Sequence, residues 1–168
     1  TEPGSRDRPL VVIAPGAAHE TKRWPVERFV EVAKAMHDEL GATILWATTS
    51  SDPSSRADLS SIDPEHLMRP TDTPLPKLAA MMSQALVTVA NDSGVAHLSS
   101  AVGTPVVAVF GPTHPVLGFE PRGLFDEVIQ TDEFCRPCSL HGKKPCWRAQ
   151  RYCMERIDHE EVANAAIR

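Results

Sequence analysis

The feature that most constrains this chain is residues 86–113, LVTVANDSGVAHLSSAVGTPVVAVFGPT. Two apolar runs, 86–90 and 106–110, flank one helical stretch at 95–102. Asn91, Asp92, Ser93 and Gly94 break the first junction; Gly103, Thr104 and Pro105 break the second, and Gly111-Pro112 closes the unit. Two buried strands joined through one helix make a βαβ unit, whose crossover is right-handed in nearly all cases. In such a unit a ligand sits where the C-terminal end of a strand meets a helix N-terminus. That position falls on Asp92, Ser93, Gly94 and His97.

The rest of the chain alternates in the same way. Residues 9–14, PLVVIA, read as a buried parallel strand, followed by a turn at Pro15, Gly16, Ala17 and Ala18. Trp24-Pro25 opens a helix, because proline suits the first helical turn. Phe29, Ala33, Met36 and Leu40 share one face of it, and Gly41 stands at its C-terminal stop. Residues 42–47, ATILWA, form the next strand. A polar loop rich in Ser, Asp and Pro covers 48–64, with a short helix expected near 56–62 and a short strand at 66–69. Apolar positions 75, 78, 79, 82 and 85 predict a helix over 75–85. Beyond 113 come a Pro/Gly-rich loop to 126, an edge strand at 127–130, a cysteine-bearing segment, and a last helix capped by Asp158. Strands alternating with helices imply an α/β fold: a Rossmann-like parallel sheet with helices on both faces.

A chain of 168 residues can bury one real core. The expected organisation is a linker or frayed end at 1–8 and one domain over 9–168. The chain does not begin with Met, which suits a processed product or part of something longer. Net charge is −5 and no Lys/Arg run stands out, which argues against a nucleic-acid partner. No apolar run approaches the roughly 20 residues of a membrane span, and the first residues, TEPGSRDR, lack a signal-peptide core.

Three places carry candidate chemistry. At residues 92–94 a helix start offers unpaired N–H groups to a phosphate, Gly94 admits close approach, and Ser93 adds a hydroxyl. Asp92 would repel a phosphate, so it suits an N-cap or an acceptor for sugar hydroxyls; His97 lies about one turn further in. A plain Asp cap with a core-packed His fits the same residues. The second place is the loop 15–24, which opens on the same sheet edge. Gly16 and Ala17 leave N–H groups accessible, and Lys22 and Arg23 offer cations to a pyrophosphate. A solvated Lys-Arg pair before a helix is the alternative. Neither a Walker A spacing nor a GxGxxG fingerprint is present, which disfavours a NAD-dependent dehydrogenase. The third is Cys135-x2-Cys138-x7-Cys146-x6-Cys153, with His141 inside it. Four clustered thiols suit a structural zinc; an iron–sulfur cluster, free buried thiols or disulfides fit the same count.

These motifs together resemble glycosyltransferase family 9, the ADP-heptose:lipopolysaccharide heptosyltransferases. The resemblance is carried by PGAAHETKRWPVERFVEVA and by NDSGVAHLSSAVGTPVVAVFGPTHPVLGFEP. The tail CRPC…C…CMERID is similar to the heptosyltransferase II branch. The resemblance implies a GT-B enzyme of two Rossmann-like domains, of which this chain is the C-terminal, donor-binding one. It implies ADP-L-glycero-β-D-manno-heptose as donor, the lipopolysaccharide inner core as acceptor, and inverting transfer without a covalent sugar–enzyme intermediate. Lys22 matches the family's phosphate-contacting lysine and is expected to stabilise the departing ADP. Asp92, Ser93, Gly94 and His97 match its donor motif, with Gly16, Ala17 and Arg23 beside them. The catalytic aspartate base and the acceptor site belong to the family's N-terminal domain, so this chain alone is expected to bind donor weakly and transfer nothing. No cofactor is required for transfer. The implied location is cytoplasmic, peripheral at the inner membrane. A GT-B domain for another nucleotide sugar, or a stand-alone nucleotide- or metal-binding module, are the alternatives.

Overall fold

A computed structural model describes residues 8–168. In chain order its regular elements are β1 (Leu10–Ala14), α1 (Val26–Leu40), β2 (Thr43–Trp46), β3 (Leu67–Met68), α2 (Leu75–Met82), β4 (Val87–Asn91), α3 (Gly94–Ala101), β5 (Val106–Phe110), β6 (Glu127–Gln130), α4 (Tyr152–Glu155) and α5 (His159–Ile167). The six strands form one parallel sheet in the order β3-β2-β1-β4-β5-β6. The chain runs outward from β1 to one edge, then returns to place β4 on β1's other side. The β1/β4 boundary is therefore the switch point, where two successive crossovers diverge and leave a crevice above the strand ends.

Alternation along each strand decides what each face buries. Val11, Ile13, Ile44, Trp46, Val87, Val89, Val107 and Val109 point to one side, where they meet Phe29, Val32, Ala33 and Met36 of α1 and the alanine-rich face of α5. Val12 and Leu45 point to the other side, against Leu78 and Met82 of α2. Ala14, Ala90, Ala108 and Phe110 share that side with Ala96 of α3. Small residues there let α3 sit close to the sheet. A buried polar cluster ties it down: the Ser99 hydroxyl lies 2.8 Å from that of Thr88 and donates to the Thr104 carbonyl at 3.1 Å, while Thr104 donates to Met82 O at 2.6 Å.

Local stop signals act where the sequence puts them. Gly41 ends α1 in the left-handed region (φ 62°), and the Asp158 carboxylate accepts from Glu160 N at the start of α5. Three expectations need correction, and a fourth falls outside the described residues. The 75–85 helix ends at Met82, and Leu75, placed on its apolar face by spacing, is 65% exposed. The short helix expected near 56–62 is instead a 3-10 turn at Pro53–Arg56, started by Asp52, whose carboxylate accepts from Ser54 N. Asp92 does not cap α3: the helix begins one residue later, with Ser93 at the cap position. The expected linker at 1–8 lies outside the described residues except for Arg8, whose guanidinium donates to Gly41 O at 3.2 Å.

Candidate functional site

Because β1 and β4 are neighbours, the loop 15–24 and the turn 91–94 rise side by side at the switch point. Asn91, fully buried at the end of β4, joins them. Its side-chain amide donates to Pro15 O at 2.7 Å, and its oxygen accepts from Trp24 N at 3.0 Å. One side chain thus holds both ends of the loop. Between those ends a 3-10 turn at Glu20–Lys22 points Lys22 back toward β4. There its ammonium pairs with Asp92 at 2.8 Å, and the Thr113 hydroxyl donates to the same carboxylate oxygen at 2.7 Å. This long-range pairing, rather than a local cap, occupies Asp92.

Arg23 turns the other way. Its guanidinium donates twice to Ala17 O and lies 3.3 Å from Asp52 Oδ2. Asp52 is buried, and its other oxygen accepts from the backbone and hydroxyl of Ser54. Gly16 passes directly over this carboxylate; a Cβ there would stand 3.2 Å from Asp52 Oδ2. Asp52 stands on the loop after β2, a place where an acidic residue in this topology can meet ribose hydroxyls. Sequence reading missed it, although its place after the second strand was a usable signal.

These groups border a cleft of about 940 Å³. Gly16, Ala17, Arg23, Ser93, Gly94 and His97 all line it, so six of the eight expected donor residues share one space; Lys22 and Asp92 stand outside its lining. At the start of α3, a Cβ on Gly94 would meet nothing within 4 Å, so the backbone there lies open. The Ser93 hydroxyl is buried and has no hydrogen-bond partner among the described residues. A helix N-terminus with open backbone and an unused hydroxyl is suited to an anion. The far wall is apolar, formed by Leu75, Leu78, Val95 and Leu98. That position explains why Leu75 escapes the core.

The cysteine segment folds against the same region. Cys135, Cys138, Cys146 and Cys153 all line one small cavity of about 20 Å³, room for one water-sized body. All four thiols are free, and burial pushes the Cys153 thiol up to about 11 and that of Cys138 upward as well. The donor set suits a thiophilic cation. The geometry is not closed, however: among the described residues no three His, Cys, Asp or Glu side chains stand in a metal-holding arrangement. His141 packs on Phe119, with ring centroids 5.3 Å apart, and does not line the cavity.

Comparison with known proteins agrees with this architecture. The sequence model of glycosyltransferase family 9 (heptosyltransferase) matches residues 2–144. Lipopolysaccharide heptosyltransferase 2 of Escherichia coli is 28% identical over 116 residues, 66% of this chain and 33% of that protein. Lipopolysaccharide heptosyltransferase 1 of Pseudomonas aeruginosa is 28% identical over 177 aligned positions, 96% of this chain and 47% of that protein. The solved structure of E. coli ADP-heptose lipopolysaccharide heptosyltransferase II superposes with a TM-score of 0.74 at 22% identity, covering 96% of this chain and 46% of that one. The chain thus spans between a third and a half of the length of these relatives. With the family model spanning most of its length, the chain belongs to glycosyltransferase family 9, the heptosyltransferases.

Proposed function

We propose that this chain is the donor-binding part of an inverting heptosyltransferase that moves heptose from ADP-L-glycero-D-manno-heptose to the lipopolysaccharide inner core. The observation that carries this is the meeting of the loop 15–24 and the α3 N-terminus on one cleft. The diphosphate lies at its polar end, against the open backbone of Gly94 and the unused Ser93 hydroxyl. Asp52 accepts from ribose hydroxyls, and the base packs on the Leu75–Leu78 wall. Lys22 exchanges its Asp92 partner for phosphate oxygen, and His97 reaches a phosphate or sugar oxygen.

In the transfer an acceptor hydroxyl oxygen attacks the anomeric carbon from the face opposite ADP. The bond to the β-phosphate oxygen breaks, and its electron pair leaves with ADP. The acceptor proton passes to a general base, which the family pattern puts outside these residues. The contribution of this chain is to neutralise charge growing on the departing diphosphate, through Lys22 and the helix terminus. The relatives' names support heptose and lipopolysaccharide as donor sugar and acceptor. No described helix is long and apolar enough to cross a membrane, and a cytoplasmic enzyme touching the inner membrane peripherally is the matching proposal.

Titration calorimetry tests the donor site. ADP is expected to bind more tightly than UDP or GDP. Lys22→Ala should weaken ADP about tenfold or more, the scale of one lost charge-assisted contact. Equal affinity in the variant removes Lys22 from the site, and tighter UDP binding favours another nucleotide sugar.

The shared cavity of the four thiols supports a second proposal: Cys135, Cys138, Cys146 and Cys153 hold one structural zinc, with no part in the transfer chemistry. Mass spectrometry under native conditions should find one Zn²⁺ per chain; a metal-free chain after growth and dialysis with zinc refutes it.

A further inference from the structure

The cysteine segment touches the donor loop at three points. Gly142, buried within the segment, lies directly on Lys22: a Cβ there would stand 2.5 Å from Lys22 Cγ and Cδ. The Thr21 hydroxyl donates to Gly142 O, and the Arg151 guanidinium donates to Glu20 O and Arg23 O. Gly142 and Arg151, which make all of these contacts, both lie between Cys138 and Cys153, and Thr21 and Arg151 themselves border the thiol cavity. From the segment's start a second connection reaches the other member of the ion pair. Arg136, next to Cys135, donates to Thr113 O at 2.9 Å, and the Thr113 hydroxyl donates to Asp92. The segment therefore touches Lys22 directly and reaches Asp92 through Thr113.

The thiols border one cavity without being gathered into a ligand set. Binding a cation has to draw them together. The chain between Cys138 and Cys146 carries Gly142, and the chain between Cys146 and Cys153 carries Arg151. Closure of the thiols must move or stiffen both contacts on residues 20–23. We propose that the cysteine segment is a metal-closed clamp on the donor loop, in which a thiophilic divalent cation orders residues 20–23 and so positions Lys22 for the diphosphate. It rests on the zinc reading above. The four thiols release their protons to solvent as they bind the cation, and no electron transfer is involved. Gly142 and Arg151 are positioning residues: they touch the lysine's loop and not the donor.

The test uses the whole chain, stripped of metal by a chelator and then titrated with Zn²⁺. Amide hydrogen exchange at residues 20–23 and ADP affinity are read alongside zinc stoichiometry. Zinc is expected to slow exchange at 20–23 and tighten ADP, each about tenfold, the range seen when groups that orient a site are disturbed. Gly142→Ala should keep its zinc, since no ligand changes, yet displace Lys22 and weaken ADP about tenfold. Cys146→Ser should lose zinc and protection together; if it fails to fold, the stripped wild-type chain and Gly142→Ala still decide. Zinc binding with unchanged exchange at 20–23 overturns the clamp alone. Failure to bind zinc at all overturns the metal reading and the clamp with it.

Discussion

Asn91 shows how much one side chain can organise. It is buried, and both of its polar ends are spent on the loop 15–24. Asn91→Ala leaves the Trp24 N–H and the Pro15 carbonyl without partners in a buried setting. Each such loss costs about 1–3 kcal/mol, so the melting temperature should fall by about 4–8 °C or more. Thermal unfolding followed by circular dichroism measures it; an unchanged midpoint means that water replaces the amide. The sequence showed Asn91 only as a strand breaker, because its partners lie 67 and 76 positions away. Asp92 failed as an N-cap for the same reason. A cap is a local contact, and Lys22, seventy residues upstream, offers the carboxylate a full charge at 2.8 Å. Gly41 and Asp158 needed no distant partner, and both were legible.

At the scale of elements, α1 is the clearest case of pattern becoming packing. Phe29, Ala33 and Met36 are fully buried, Val32 joins them, and Leu40 at the C-terminal end is only partly covered. Phe29 also meets the Trp24 ring edge-on, with centroids 4.9 Å apart, so it locks the helix start to the donor loop. Phe29→Ala should cost about 3–5 kcal/mol, chiefly through the cavity it leaves. Urea unfolding should show a lower midpoint with an unchanged slope; a loss below about 1 kcal/mol means that the site collapses. α2 shows where periodicity misleads. Spacing marks Leu75 as core, but a helix face can look into a cleft as well as into a sheet. Nothing in the local pattern separates the two.

For the whole molecule, the switch point between β1 and β4 makes the site, and a loop beside it is tied by the carboxylate of Asp72. Asp72 closes the cleft's outer loop: its carboxylate accepts from Ser50 N at 3.0 Å, and its own N–H donates to Thr48 O at 3.2 Å. Hydrogen bonding to Ser50 holds this carboxyl below its usual range, as the Ser60 backbone N–H does for Asp58. A carboxyl lowered in the folded state adds stability above its unfolded pKa and loses it as pH falls through the folded value. Urea midpoints should therefore be flat from pH 7 to about 5 and decline below about 4, near the ordinary carboxylate range. Hydrogen exchange should show the 48–52 and 70–73 loops opening first; uniform loosening would contradict this. The sequence by itself determined the six strands and four of the five described helices, though not α4 or the end of α2, together with the parallel α/β class, the helix stops at Gly41 and Asp158, and the family, because periodicity, capping and short motifs act over a few residues. Only the tertiary structure decided that β1 and β4 are neighbours, that Lys22 meets Asp92, that Asp52 lies against Gly16 and Arg23 at the cleft, and that the cysteine segment rests on Lys22. Those contacts join positions 29 to 120 residues apart, and the free energy that selects them comes from the core packing as a whole.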